Sequence, residues 1–151
     1  KELDKRGMKL VSNQMKFNLL DRKIERNGVM DLARELGISI IAYSPLAQGL
    51  LTGKFHDDPE KLNSISTMRR TSNQMTRKKL DETKELIAEL KKLAKKYEAS
   101  PAEIAINWVI HSHGETVFTI PGASKPYQAE TNTRAMSFQL TNAAIEMLSM
   151  I

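Results

Sequence analysis

The sequence predicts an α/β chain built on a parallel sheet, and three observations predict it. First, "ISIIAY", Ile38 to Tyr43, is a continuous β-branched run with no polar alternation, as suits a strand buried on both faces. Second, stretches of helical periodicity separate it from two other strand-like runs, "KLVSNQM" before it and "TVFTI" after it. Third, the order is strand, helix, strand, long loop with helices, strand, helix. That order calls for parallel pairing and right-handed crossovers. With 151 residues, 40% hydrophobic and 27% charged, the chain fits one compact domain of ordinary globular composition.

The opening "KELDKRGMKL" reads as the tail of a helix already under way, so the natural start of the chain is expected to lie elsewhere. Its basic start has no apolar stretch behind it and is no signal peptide. Lys9 to Met15 is the first strand. In "NGVMDLARELG", Val29, Leu32, Ala33 and Leu36 recur at helical spacing, and Gly37 supplies the stop. Ile38 to Tyr43 is the second strand. Residues 44 to 79 read as a long connection rich in Gly, Ser, Thr and Arg; such length inside a compact domain is often functional. Leu80 to Tyr97 is an amphipathic helix with Leu86, Ile87, Leu90, Leu93, Ala94 and Tyr97 as its apolar stripe.

"SPAE", Ser100 to Glu103, is a capping pattern with proline at the first helical position. The helix it opens buries Ile104, Ala105, Trp108 and Val109, and Trp108 is read as core packing. Thr116 to Ile120 is the third strand, Pro126 to Met136 a helix, and Thr141 caps a last helix through Leu148.

Composition excludes several classes. No apolar run approaches the ~18 residues of a spanning helix, so no membrane partner is expected. The absence of cysteine removes disulfide frameworks and thiolate metal sites, which is compatible with the expected cytoplasmic location. No metal ligand set is assigned. The net charge of +5 suggests either an anionic partner or a solvated face. Much of the excess sits in one helix with Lys91, Lys92, Lys95 and Lys96, and the few aromatics do not interleave with it, so nucleic acid is not expected.

Functional residues in parallel sheets gather at the C-terminal strand ends. The first strand ends in Asn13-Gln14, the second in "YSPLAQGLLTGKF", the third in "PGASKPYQ". Gln14 offers a carboxamide for another amide edge, or for a backbone or loop bond. Tyr43 presents a flat ring that stacks on an aromatic ligand or packs against the next helix. Ser44 supplies a hydroxyl, Pro45 fixes the turn, Gly49 and Gly53 allow close approach, and Lys54 brings positive charge. Gly122, Ala123 and Ser124 precede a helix start, where the chain either merely turns or holds an anion on exposed N–H groups. Lys125 adds charge or points to solvent. Gln128 and Asn132 lie four apart on one helical face; two amides beside an anion site suit a purine base and its sugar phosphate.

"NQMKFNLLDR", "ELGISIIAYSPLAQGLLTGKF" and "IPGASKPYQAETN" resemble the C-terminal half of the aldo-keto reductase superfamily, from about Lys9 to Met150. The second motif is the most specific, and the likeness is to the branch with bacterial reductases and potassium-channel β subunits. The resemblance implies a (β/α)8 barrel that binds NADP(H) in extended form without a Rossmann fold. Residues 1–151 would then be a single partial barrel, about three to four strand–helix units from its C-terminal part, with the N-terminal half absent.

By the same resemblance, Gln14 contacts the nicotinamide carboxamide and Tyr43 stacks on the nicotinamide ring. Ser44, Pro45, Leu46, Gln48 and Gly49 line the pyrophosphate. Lys54 and an arginine of "MRR", Arg69 or Arg70, reach the 2′-phosphate side. Gly122, Ser124, Gln128 and Asn132 hold the adenosine 2′-phosphate and adenine. Thr131 departs from the family's usual Glu before Asn132.

A full barrel needs ~250 residues. The family's catalytic Asp, Tyr, Lys and His belong to its N-terminal half, and His56, His111 and His113 do not match its histidine. No catalytic residue is therefore assigned. The expected parent is an oxidoreductase that passes hydride from the nicotinamide to an aldehyde or ketone, with an upstream tyrosine protonating the oxygen. This chain alone is expected to be inactive. The other reading is a non-catalytic half-barrel that binds a nucleotide or a partner chain. The expected partners are a small-molecule carbonyl substrate for the parent, and the other half or a second copy for this chain.

Overall fold

The computed structural model describes residues 2–66 and 75–151. Among them, three parallel strands form one sheet in chain order: β1 (Ser12–Lys16), β2 (Ser39–Tyr43) and β3 (Val117–Ile120). The register sets Gln14 beside Ile41 and Ile41 beside Phe118; one step on, Lys16, Tyr43 and Ile120 align. Side chains alternate across a strand, so these residues share one face and Ile40, Ala42 and Val117 share the other.

Among the described residues, only the second face is covered. Ile40, Ala42 and Val117 are buried in the main core, whereas Phe118 is 58% exposed, Ile120 48% and Tyr43 39%. The expectation that β2 is buried on both faces is corrected here. Its continuous apolar run resembles a fully buried strand, but helices pack on one side of it only.

Among the described residues the helices are α1 (Glu2–Lys5), α2 (Lys23–Arg26), α3 (Val29–Leu36), α4 (Lys54–Asp57), α5 (Arg77–Lys96), α6 (Pro101–His111), α7 (Pro126–Arg134) and α8 (Asn142–Met150). α3 ends at Gly37, whose φ of 63° is left-handed, as a C-terminal glycine allows. α6 starts on a reciprocal cap: Ser100 Oγ accepts from Glu103 N at 3.3 Å, and Glu103 Oε2 accepts from Ser100 N at 2.6 Å. From Ala102 to Val109, α6 is buried on every side. A helix apolar around most of its girth must sit inside, and this one lies between β3, α5 and α7. Trp108 is the expected core residue, fully buried, with Nε1 donating to Ile145 O at 3.2 Å and Ser149 Oγ at 3.1 Å.

Boundaries differ in ways with simple causes. β1 starts at Ser12, not Lys9, because β2 begins at Ser39, whose N–H bonds Val11 O at 2.9 Å. α5 starts three residues before Leu80, on Thr76, whose Oγ1 accepts from Lys79 N at 3.2 Å; its first turn is polar and carries no apolar period. The described part of the expected 44–79 connection is not a plain loop. It holds 3-10 turns at Ala47–Thr52 and Pro59–Ser64 and the single turn of α4, each too short to show a period. Leu50, Phe55, Leu62, Met75 and Leu80 give it a small core of its own.

His113, just past α6, ties three elements together. Its Nε2 lies 2.6 Å from Glu25 Oε1 on α2, its Nδ1 meets the Arg34 guanidinium of α3, and its ring packs tilted against Phe17, with centroids 5.3 Å apart. Arg34 can only donate, so Nδ1 accepts and the imidazole is neutral, with Nε2–H on Glu25. Burial lowers the His113 pKa from its ordinary 6.5, with Arg34 and Arg22 acting the same way against Glu25, and burial lowers those of His56 and His111 too. A depressed histidine contributes stability that is full above the unfolded value and is lost as pH falls through it. The urea midpoint is therefore expected to fall between pH 7.5 and 5.5, and His113→Gln should flatten part of that fall. An unchanged slope in the variant would remove His113 from the account.

Candidate functional site

The C-terminal ends of β2 and β3 open into one cavity of about 560 Å³. The loop after β2 supplies Ser44, Pro45, Leu46, Gln48, Gly49 and Lys54 to its wall. The turn after β3 supplies Gly122, Ser124 and Gln128. The candidates of both segments therefore share one wall. A second cavity of about 580 Å³ shares Ser44 and Gln48 with the first and takes in Tyr43 and Lys16.

The loop after β2 is held in an unusual shape. Ser44, Ala47, Gln48 and Gly49 all have positive φ, at 54°, 46°, 59° and 95°. Glycine takes that region freely; each of the others costs about 1–3 kcal/mol and persists only where its surroundings over-determine it. Several bonds do so. Asn18 Nδ2 donates to Ser44 O at 2.9 Å, Gln48 Nε2 donates to Ser44 Oγ at 3.2 Å, and Thr52 Oγ1 donates to Gly49 O at 2.7 Å. Leu50 and Leu51 anchor the far end in the two cores. Successive backbone N–H groups in such turns make concavities suited to anions. Lys54 folds back over this loop. A Cβ built on Gly49 would meet its Cε and Nζ at 3.5 Å, and Nζ lies 4.7 Å from the centre of the Phe55 ring.

At the β3 end, three donors converge on one oxygen. Gln128 Oε1 accepts from Ser124 N at 2.8 Å, Ser124 Oγ at 3.1 Å and Lys125 N at 3.1 Å. The N–H groups that the sequence offers to an anion are thus gathered, with the chain's own amide oxygen among them. Asn132 is on the expected face, but its Nδ2 donates to Pro121 O at 3.4 Å and fastens the Pro-Gly turn to α7. Gly122 has open space, with no atom within 4 Å of a Cβ built there.

Three candidates stand apart, and Asn132 on α7 is one of them, lining neither cavity. Gln14 projects from the bare face of the sheet and lines neither cavity. Arg70, like Arg69, lies outside the described residues. Tyr43 does not pack against the helix layer: it is 39% exposed on the bare face of the sheet.

The sequence reading missed Asn18, Thr52 and Lys16. Asn18 is fully buried, and its Oδ1 accepts from Leu20 N and Asp21 N at 2.9 Å each. An asparagine after a strand signals a turn, which the sequence could have shown; its long-range bond to Ser44 could not be read.

The Aldo/keto reductase family model matches residues 1–151. The chain is 35% identical to the L-glyceraldehyde 3-phosphate reductase of Escherichia coli K12, over 85% of this chain and 37% of that protein. It is 34% identical to the chloroplastic pyridoxal reductase of Arabidopsis thaliana, over 93% of this chain and 36% of that protein. It therefore spans well under half the length of these curated relatives. A thermostable aldo-keto reductase solved with the inhibitor epalrestat superposes with a TM-score of 0.70 at 22% identity, over 98% of this chain and 42% of that one.

Proposed function

Because this chain belongs to the aldo/keto reductase family, we propose that it forms the dinucleotide-binding wall of an NADP(H)-dependent oxidoreductase, in the C-terminal part of a (β/α)8 barrel. The observation that carries the reading is the cavity joining the two strand ends. On one side is a strained loop with Lys54 folded over it; on the other are three donors converging on one point. Hydroxyls, backbone N–H groups and an ammonium are the donor set that phosphates require, so the residues suit the cofactor.

In this reading Ser44, Gln48 and the 47–49 turn cradle the pyrophosphate. Lys54 and Ser124 take the 2′-phosphate, and Gln128 turns from its own N–H partners toward the adenosine. Asn132 acts by holding the Pro121-Gly122 turn. Tyr43 orients the nicotinamide by its exposed ring, and Gln14 reaches the carboxamide from the same sheet face. Arg70 belongs to the same proposal. When bound, the reduced nicotinamide supplies a hydride.

The relatives named as reductases of glyceraldehyde phosphate and pyridoxal support a small carbonyl compound as the substrate of the whole protein. The acid that protonates the carbonyl oxygen is assigned to the rest of the barrel. A positioned general acid contributes about 10²–10⁴-fold. The 151-residue polypeptide is accordingly expected to oxidise NADPH with 4-nitrobenzaldehyde no faster than a buffer blank. A clear protein-dependent rate from homogeneous material would overturn that assignment.

Calorimetry with NADP and NAD tests the cofactor reading. NADP should bind more tightly by roughly 1–3 kcal/mol, the worth of charge-assisted bonds to the extra phosphate. Lys54→Ala should lose much of that preference. Equal affinity for the two nucleotides, or a preference untouched by the substitution, would sink it.

A further inference from the structure

We propose that the cavity beside Tyr43 holds the anionic group, a phosphate or a carboxylate, of the carbonyl compound that the whole protein acts on. The proposal rests on reading the neighbouring cavity as the cofactor site. Lys16, Arg22, Lys23, Arg26 and Lys79 line this second cavity, against Asp21 as its one acidic residue. Five cations line it against Asp21, and Glu25 and Glu82 pair with two of them from just outside, which leaves a local excess of +2 in a concave site.

Part of that charge is committed and part is not. Lys16 Nζ lies 3.2 Å from Asp21, Arg22 Nε 2.5 Å from Glu25, and Lys79 Nζ 3.2 Å from Glu82. Among the described residues, neither Lys23 nor Arg26 forms an ion pair. These two are exposed on the single turn of α2, which Ile24 anchors in the core.

The basic wall is fixed in place. Asn18 and Asp21 exchange backbone bonds of 3.2 and 3.0 Å, closing a tight turn between β1 and α2. The buried Asn18 side chain then pins that turn to Ser44 O at the loop after β2. Arg22 is fastened at its far end to Ser149 O, and its guanidinium lies 5.3 Å from the Trp108 ring centre. Lys16 and Tyr43 are register partners, so the cations begin beside the ring that the cofactor reading gives to the nicotinamide. Of the groups assigned to the cofactor's phosphates, Lys54 and Ser124 line the other cavity, and Ser44 and Gln48 stand on the wall between the two. None of the five cations here is assigned to the cofactor, so the anion they face is given to the second reactant. A volume of about 580 Å³ suits a small molecule.

Product-like alcohols test this without imine formation on lysine. The isotope-labelled 151-residue polypeptide is titrated, by amide chemical shift, with 4-(hydroxymethyl)benzoate, 4-(hydroxymethyl)phenyl phosphate and the neutral 4-(hydroxymethyl)benzamide. At least one anion should bind ~10-fold or more tightly than the amide and shift resonances at Lys16, Lys23, Arg26 and Tyr43; which anion does so identifies the group. In Lys23→Glu/Arg26→Glu the preference should vanish while NADP affinity is kept. Equal affinity for all three probes, or a preference that survives the double substitution, would overturn the proposal. Anion preference without any NADP binding would count against the cofactor reading alone.

Discussion

Asn107→Ala is expected to lower the unfolding free energy by about 3–5 kcal/mol, near the top of the range for single substitutions. Asn107 is fully buried in α6. Its Nδ2 donates to Ala135 O at 2.9 Å and Phe138 O at 2.6 Å, and its Oδ1 accepts from Leu140 N at 3.1 Å. The segment it serves joins α7 to α8 and lies outside both helices, so one side chain stands in for a missing ladder. Truncation strands two carbonyls and an N–H, at about 1–3 kcal/mol for each group left buried. Alanine's better helix propensity returns well under 1 kcal/mol. Urea unfolding followed by circular dichroism gives the number. Asn107→Asp, which keeps the acceptor but sets a carboxylate against two carbonyls, should cost at least as much. A loss below about 1 kcal/mol in both would mean that water reaches the segment.

The second large effect concerns association. The isolated 151-residue polypeptide is expected to form dimers or larger species at micromolar concentration. Among the described residues its sheet has two edge strands, β1 and β3, and one face that no helix covers. Phe118, Ile120 and Tyr43 lie together on that face, aligned across β2 and β3 with the half-buried Ile41. Apolar surface of that kind is rarely left open on a monomer. Sedimentation across a ~100-fold concentration range should show mass above 17.1 kDa, and Phe118→Glu should shift it toward the monomer. A single 17.1 kDa species at every concentration would contradict the open-face reading.

Much of this architecture was legible in advance. The strand at Ile38–Tyr43, the cap at Ser100 and the stop at Gly37 are local signals, written in residues that act within a turn of themselves. The gathering of Ser44, Gln48, Lys54, Ser124 and Gln128 at adjacent strand ends was also readable, since parallel topology brings those ends together. Three kinds of feature were not. The exposure of Ile41 and Tyr43 depends on what packs on the sheet, which a run of apolar letters cannot report. Asn18 acts across 26 residues through its bond to Ser44 O. The basic wall draws on Lys16, α2 and Lys79, three places that share no motif, so only their convergence in space gives them a meaning.

The amide of Gln128 has one more consequence. Its oxygen already occupies the point where Ser124 and Lys125 aim their donors, so any visitor must evict a resident. A neutral acceptor that displaces it exchanges like for like and gains little. A phosphate gains, because charge-assisted bonds are roughly twice as strong as those they replace. In the cofactor site proposed above, that difference would bias these exposed donors toward a dianion over an uncharged acceptor.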